Sequence, residues 1–229
     1  TGGILGFYMT KAGKDVTLIA RNAHLEAMQK QGLSVEKMWI NETETMPVGA
    51  ESMESYEAKG EKADVILVCV KKYSLDSCIP FIQNISHKNT IVVPVLNVYG
   101  TGAYLQEKLP KVLVTDGCIY VSANIEGPGG CIYVSANIKQ AGVLLQHGEI
   151  LRVFFGVREK EDLKKLNGQL DGEYKAERLL KKIAQDFKDS GIDGILSDNI
   201  KRDALTKFSY VSPIGTAGLY LHAVAGDFQ

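Results

Sequence analysis

Continuous apolar, β-branched runs occupy residues 16–20 (VTLIA), 64–70 (DVILVCV) and 90–96 (TIVVPVL). Strands covered on both faces need such unbroken runs, whereas half-exposed strands alternate apolar and polar positions; buried parallel strands are therefore predicted. Residues 22–31 begin at an asparagine suited to an N-cap and predict a helix, and 75–85 predict a second crossover helix. Strand alternating with helix predicts an α/β fold built on a doubly wound sheet. Further strands are expected at 111–115, in the Ile-Tyr-Val stretch, at 143–146 and at 151–155, with His147-Gly148-Glu149 as a turn. Across 173–190, Ala176, Leu179, Leu180, Ile183, Ala184 and Phe187 recur at helical spacing with charges between them, and Gly191 is the natural stop. Residues 192–197 read as a last short strand and 198–208 as the start of an all-α region. The expected division is 1–197 for the α/β domain and 198–229 for the opening of a helical domain.

Composition narrows the function classes. Twenty-six basic and 27 acidic residues nearly cancel, so no global field favours nucleic acid or an anionic membrane. Cys69, Cys78, Cys118 and Cys131 have no paired metal-binding spacing, and three of them lie in apolar runs, which fits a reduced, cytoplasmic setting. His24, His87, His147 and His222 are too scattered for a zinc site, and no metal is expected. No apolar run reaches the roughly 18 residues of a membrane span.

Three irregularities bear on any spacing argument. The chain opens at Thr1-Gly2-Gly3, inside a glycine-rich segment, where a doubly wound sheet would place a strand first. Only residues 7–10 separate Gly6 from Lys11-Ala12-Gly13, which is short for a helix. Residues 117–125 (GCIYVSANI) recur identically at 130–138, and two tandem copies cannot both fill one strand position. The expectation is that the sequence omits or duplicates part of the natural chain, and that the two copies do not lie as neighbouring strands.

The chemistry-bearing residues cluster at predicted strand ends. In the segment Gly2, Gly3, Ile4, Leu5, Gly6, the glycines allow backbone amides to approach a pyrophosphate at a helix N-terminus, where unpaired N–H groups and the helix dipole favour negative charge. Arg21 ends the next strand. A carboxylate there would bind a free ribose 2′-hydroxyl, whereas a guanidinium offers a planar fork to a 2′-phosphate, so Arg21 points to NADPH. Lys71 and Asn97 follow the next two apolar strands, where open sheets of this kind bind ligands.

Taken in order, the glycine-rich opening, KAGKDVTLIARxAHLEAM, ADVILVCVKxY, a strand ending in Asn, YVSAxIxxPG and DxIxxxxxxKF resemble the ketopantoate reductase family, over nearly the whole chain from Thr1 to about Ala217. The resemblance implies an N-terminal Rossmann domain, a helical C-terminal domain and NADPH-dependent reduction of 2-dehydropantoate to pantoate, on the route to pantothenate and coenzyme A. It assigns Gly2 to Gly6 to the phosphate loop, Arg21 to the 2′-phosphate, Lys71 to the cofactor side and Asn97 to the nicotinamide region. The family's cofactor-contacting alanine falls on Ala123 or, through the repeat, on Ala136. Lys207 matches the catalytic lysine; a positioned ammonium there can stabilise charge growing on the carbonyl oxygen and deliver its proton.

Two departures accompany the match. Family members carry substrate-binding asparagines four and eight residues after the lysine, and this chain has Val211 and Gly215. Ser209 or Ser212 are the candidates to replace them. The partner expected is a small 2-keto acid, with a homodimer as a further possibility. Two alternatives stay open: reduction of another 2-keto acid, and an NADP-binding sensor that has lost turnover.

Overall fold

The computed structural model describes residues 1–121, 136–164 and 175–221. The predicted alternation of strand and helix is present: α1 (Gly2–Lys11), β1 (Thr17–Ile19), α2 (Asn22–Gln31), β2 (Leu33–Lys37), β3 (Glu42–Met46), β4 (Gly49–Glu51), α3 (Met53–Ala58), β5 (Ala63–Val68), α4 (Leu75–Ile85), β6 (Ser86–Pro94), α5 (Thr101–Lys108), β7 (Leu113–Val114) and β8 (Asp116–Val121). After these come β9 (Ala136–Gln140), β10 (Val143–Gln146), β11 (Leu151–Gly156), α6 (Lys175–Asp189), β12 (Asp193–Leu196) and α7 (Ile200–Leu221). The fold is Rossmann-type α/β, and among the described residues a helix follows it.

Hydrogen bonding distributes the strands over four sheets ordered β1-β4, β3-β2-β10-β9, β12-β11-β8 and β5-β6-β7. The β5-β6-β7 sheet is wholly parallel, and its middle strand has Ile91, Val92 and Val93 at 1%, 0% and 0% exposure, as an unbroken apolar run covered on both faces requires. Helix α4 covers it with Leu75, Cys78 and Ile82, one stripe at helical spacing. Helix α6 buries Ala176, Leu180, Ile183 and Phe187 in the same manner, with Phe187 edge-on to Phe155 at 5.8 Å. It ends where expected. Gly191 has φ +72°, and the N–H of Ile192 donates back to Phe187 O at 2.9 Å.

Two expectations meet a different outcome. The glycine-rich segment is not a turn ahead of a short helix; Gly2, Gly3, Ile4, Leu5 and Gly6 are themselves the first turns of α1, which thereby reaches 10 residues. The glycines serve close packing, since a Cβ on Gly6 would collide with Leu18 of β1, while Ile4 and Leu5 are buried in the main core. As for the repeat, the described part of the first copy forms β8 beside β11. The end of the second copy, Ala136 to Ile138, forms part of β9 beside β10 in another sheet. The described parts of the two copies are therefore not adjacent strands.

Candidate active site

Strand β6 delivers a loop, and β8 holds it in place. Past Pro94 the N–H of Val95 still donates to Val68 O of β5 at 2.8 Å, after which the chain leaves the sheet through Asn97 and enters α5 at Gly100, whose φ is +80°. The first turn of α5 docks on Asp116, where Gly102 N–H donates to Oδ1 at 2.7 Å. A carboxylate at a helix N-terminus satisfies an otherwise orphan amide and complements the dipole. Burial pushes the Asp116 carboxyl above the usual range, against the pull of that amide and of Arg158. Close approach is obligatory here, because a Cβ on Gly102 would overlap both Thr115 O and Asp116 Oδ1.

Across this corner runs α7. Its start is fixed by side chains: Asn199 Oδ1 accepts from Arg202 N–H at 3.1 Å, and Ser197 Oγ accepts from Asn199 N–H at 3.1 Å. About two turns later Lys207 points back at the strands, only 6% exposed. Its Nζ donates to Asn97 Oδ1 at 2.8 Å and to the backbone carbonyl of Ile119 on β8. An ammonium has three protons, so this arrangement leaves one for a further acceptor. Burial depresses the Lys207 pKa to about 8, and the nearby Cys118 acts in the opposite direction.

Lys207 forms part of the lining of a recess of about 280 Å³, counted to its open mouth. One wall is the loop from Leu96 to Tyr99, the floor is Gly117 and Cys118, and the other wall is Ala204, Lys207, Phe208 and Val211. Positions 204, 207, 208 and 211 are one face of a helix. Ser209 and Ser212, the candidates to replace the family's substrate-binding asparagines, do not line this recess, and the exposed Ser209 hydroxyl donates to Thr206 O of its own helix at 2.9 Å. An offset of two or five residues turns a side chain well away from the face that carries Lys207.

The N-terminus of α1 forms a second polar locus. Thr1 occupies the cap position without a side-chain hydrogen bond to the helix, so the first amides are left for another acceptor. Gly2 sits against the end of β5, where a Cβ would lie 3.1 Å from Cys69 Cβ, and the charge of Lys71 is felt at Thr1. Arg21 is exposed at the end of β1 and, among the described residues, holds no salt bridge. These groups fit a dinucleotide: unpaired helix amides for a pyrophosphate, and a free guanidinium at the strand end for a further phosphate. Lys71 is exposed as the cap of the short 3-10 turn Lys72–Ser74. Ala123 lies outside the described residues.

Comparison with known proteins identifies the family. Residues 1–148 match the family model described as Ketopantoate reductase PanE/ApbA. The chain belongs to the ketopantoate reductase family. A 2-dehydropantoate 2-reductase of Pyrococcus horikoshii is 30% identical over 109 residues, 46% of this chain and 33% of that protein, so the match spans about a third of the relative's length. Among solved structures, 2-dehydropantoate 2-reductase from Porphyromonas gingivalis W83 superposes with a TM-score of 0.76 at 22% identity, covering 98% of this chain and 70% of that one. A D-mandelate dehydrogenase in complex with NADH and anilino(oxo)acetate gives 0.67 at 20% identity, covering 89% and 56%. At these identities the structural likenesses speak for the fold.

Several residues around the ammonium of this ketopantoate reductase family member went unread in the sequence. Tyr99 and Phe208 face each other across the recess mouth at 6.1 Å, and the Tyr120 ring lies 5.1 Å from Lys207 Nζ. Helical spacing around Lys207 would have found Phe208 and Val211. Nothing local marks Asp116 as the cap of a helix that precedes it. Among the described residues no His, Cys, Asp and Glu group could hold a metal, and no helix is long and apolar enough to cross a membrane.

Proposed function

We propose that this chain carries the cofactor-binding and lysine-bearing part of an NADPH-dependent 2-keto acid reductase, with 2-dehydropantoate as the substrate to which the family points. The observation that carries this reading is the buried Lys207 ammonium, fixed by Asn97 and Ile119 with one proton left over beside a recess. NADPH, when bound, supplies a hydride to the keto carbon. Amides of Gly2 and Gly3 would hold its pyrophosphate and Arg21 its 2′-phosphate, Lys71 would add charge beside α1, and Asn97 would stand on the nicotinamide side. Lys207 then donates its free hydrogen bond to the substrate's carbonyl oxygen and gives up that proton as negative charge develops there. A lysine with a pKa of about 8 is suited to this, being mostly charged at neutral pH yet ready to lose a proton.

The division into domains at 1–197 and 198–229, a cytoplasmic setting and a homodimer belong to the same proposal. Its test is NADPH oxidation, followed at 340 nm, with 2-dehydropantoate and with other 2-keto acids. Turnover with 2-dehydropantoate is the expected result. Turnover only with another keto acid would move the substrate assignment, and NADPH binding with no turnover on any of them would favour the sensor reading.

A further inference from the structure

We propose that Tyr120 is a positioning residue for Lys207, its ring forming the third side of the seat in which the ammonium is held. The proposal rests on the reading of Lys207 as the proton donor, and the geometry adds a group which that reading does not use. Lys207 Nζ lies 5.1 Å from the centroid of the Tyr120 ring, within the roughly 6 Å over which a ring face attracts a cation. Tyr120 directly follows Ile119 on β8, so one strand supplies both the carbonyl that accepts from the ammonium and the ring beside it. The ring is itself held. Phe154 on β11 meets it edge-on at 5.4 Å and 65°, through the antiparallel register that pairs Arg152 with Tyr120 and Phe154 with Cys118.

The hydroxyl of Tyr120 makes no hydrogen bond among the described residues, so what reaches Lys207 is the ring and not the phenol oxygen. A ring face stabilises the charged lysine but not the neutral amine, and thus opposes the loss of hydration that burial imposes. The other titratable groups near this pair are Cys118 on β8, Asp203 on α7 and Arg152 on β11, with Asp116 acting on Cys118. The Cys118 thiol is pushed up to about 11 and the Tyr120 phenol is raised as well, both by burial, so neither changes charge near pH 8.

The test compares Tyr120→Phe, which keeps the ring, with Tyr120→Leu, which removes it from a partly exposed strand position. Two measurements are made on each. The first is the pH dependence of acetic anhydride labelling of Lys207, followed by peptide mass spectrometry on the full chain, and it needs no turnover. Tyr120→Phe should reproduce the wild-type curve, whereas in Tyr120→Leu the ratio of charged to neutral Lys207 at a given pH should fall about three- to tenfold, the range for a partly desolvated cation beside a ring. Identical curves for all three proteins would overturn the proposal, and so would a Phe variant behaving like Leu. The second measurement is kcat and KM for the keto acid. Tyr120→Leu should lower kcat more than it raises KM, and should shift the alkaline limb of the kcat profile downwards. If labelling shifts as expected but no variant, wild type included, reduces any 2-keto acid, the seat stands and the proton-donor reading fails.

Discussion

Around Lys207, three elements far apart in the chain bring polar atoms onto one ammonium, whereas around the N-terminus of α1 the polar groups stand open and unpaired. The loop after β6 gives Asn97, β8 gives the Ile119 carbonyl and α7 gives the lysine, with contacts spanning 110 and 88 residues of sequence. At α1 the first amides have no side-chain cap, Arg21 and Lys71 are exposed, and the buried side chains of the segment, Ile4 and Leu5, belong to the core. A group poised for proton transfer needs its position and pKa set before the substrate arrives, and the protein must supply that setting itself. A site for a polyanion needs the reverse: donors kept free, because each one satisfied within the protein is lost to the ligand.

The largest effect should come from removing the centre of the pre-built region. Lys207→Ala is expected to lower kcat by about 10²–10⁴-fold, the range for loss of a positioned acid. The NADPH dissociation constant, measured by fluorescence titration, should stay near that of the unmodified chain, since among the described residues Lys207 bonds to Asn97 and Ile119 and not to α1 or Arg21. A comparable loss in cofactor binding would erase the distinction between the two regions.

Next in size is the corner that holds Asn97. Gly102→Ala drives a methyl group into Thr115 O and Asp116 Oδ1 and should cost about 3 kcal/mol in chemical denaturation, the upper range for overpacking a tight site. The same substitution at Gly215, where a Cβ meets nothing within 4 Å inside α7, should stabilise by about 0.5–1 kcal/mol through helix propensity. Destabilisation of equal size at both positions would mean that helix geometry, not the docking of α5 on Asp116, sets the cost.

How much of this was legible follows from the range of the interactions concerned. Unbroken runs such as IVV at 91–93 and the stripe from Ala176 to Phe187 report burial through local pattern, and those strands and helices stand close to where the pattern put them. The helical state of Gly2 to Gly6 was hidden because glycine has poor helix propensity, and here close packing against Leu18 and Cys69 outweighs that preference. Lys207 and Asn97 could be named separately from motif and strand end, but their mutual contact depends on where α7 crosses β8. Ser209 and Ser212 are near Lys207 in sequence but not on the helical face that lines the recess, a distinction that depends on helical spacing and not on residue type. Tyr120 and Asp116 act across strands, where single-sequence periodicity carries no signal.

The pH response should sharpen the comparison through stability alone. Lys207 has a folded pKa of about 8, against about 10.4 for a free lysine. Below pH 8 it is charged in both folded and unfolded chains, and the folded state bears the full cost of burying that charge. Between about pH 8 and 10.4 the unfolded chain binds more protons, so this residue's contribution makes stability rise with pH, by roughly 3 kcal/mol in all. The difference between wild type and Lys207→Met isolates it: the methionine variant should hold its greatest advantage below pH 8 and lose it as pH climbs. A constant difference would mean that the ammonium is not desolvated. Reduction should run the other way, slowing above about pH 8 as the proton is lost from the donor.

A smaller effect than the loss of Lys207 or the overpacking at Gly102 probes the open region. Arg21 lies exposed at the end of β1, where its guanidinium has no carboxylate partner among the described residues, so it is available to a phosphate without first breaking an ion pair. Arg21→Ala should weaken NADPH binding by about 2 kcal/mol, the scale of a charge-assisted hydrogen bond, or roughly 30-fold. NADH lacks the 2′-phosphate and should be little affected. The folded state should also be indifferent to the change, because an exposed side chain with no ion pair contributes little to stability. A loss shared equally by NADPH and NADH would remove Arg21 from the 2′-phosphate. Binding by both cofactors would then rest on the α1 amides and Lys71, which read the pyrophosphate common to the two. A loss confined to NADPH, with unfolding unchanged, would show a residue kept free for its ligand, in contrast to the buried Lys207, which is already bonded to Asn97 and Ile119.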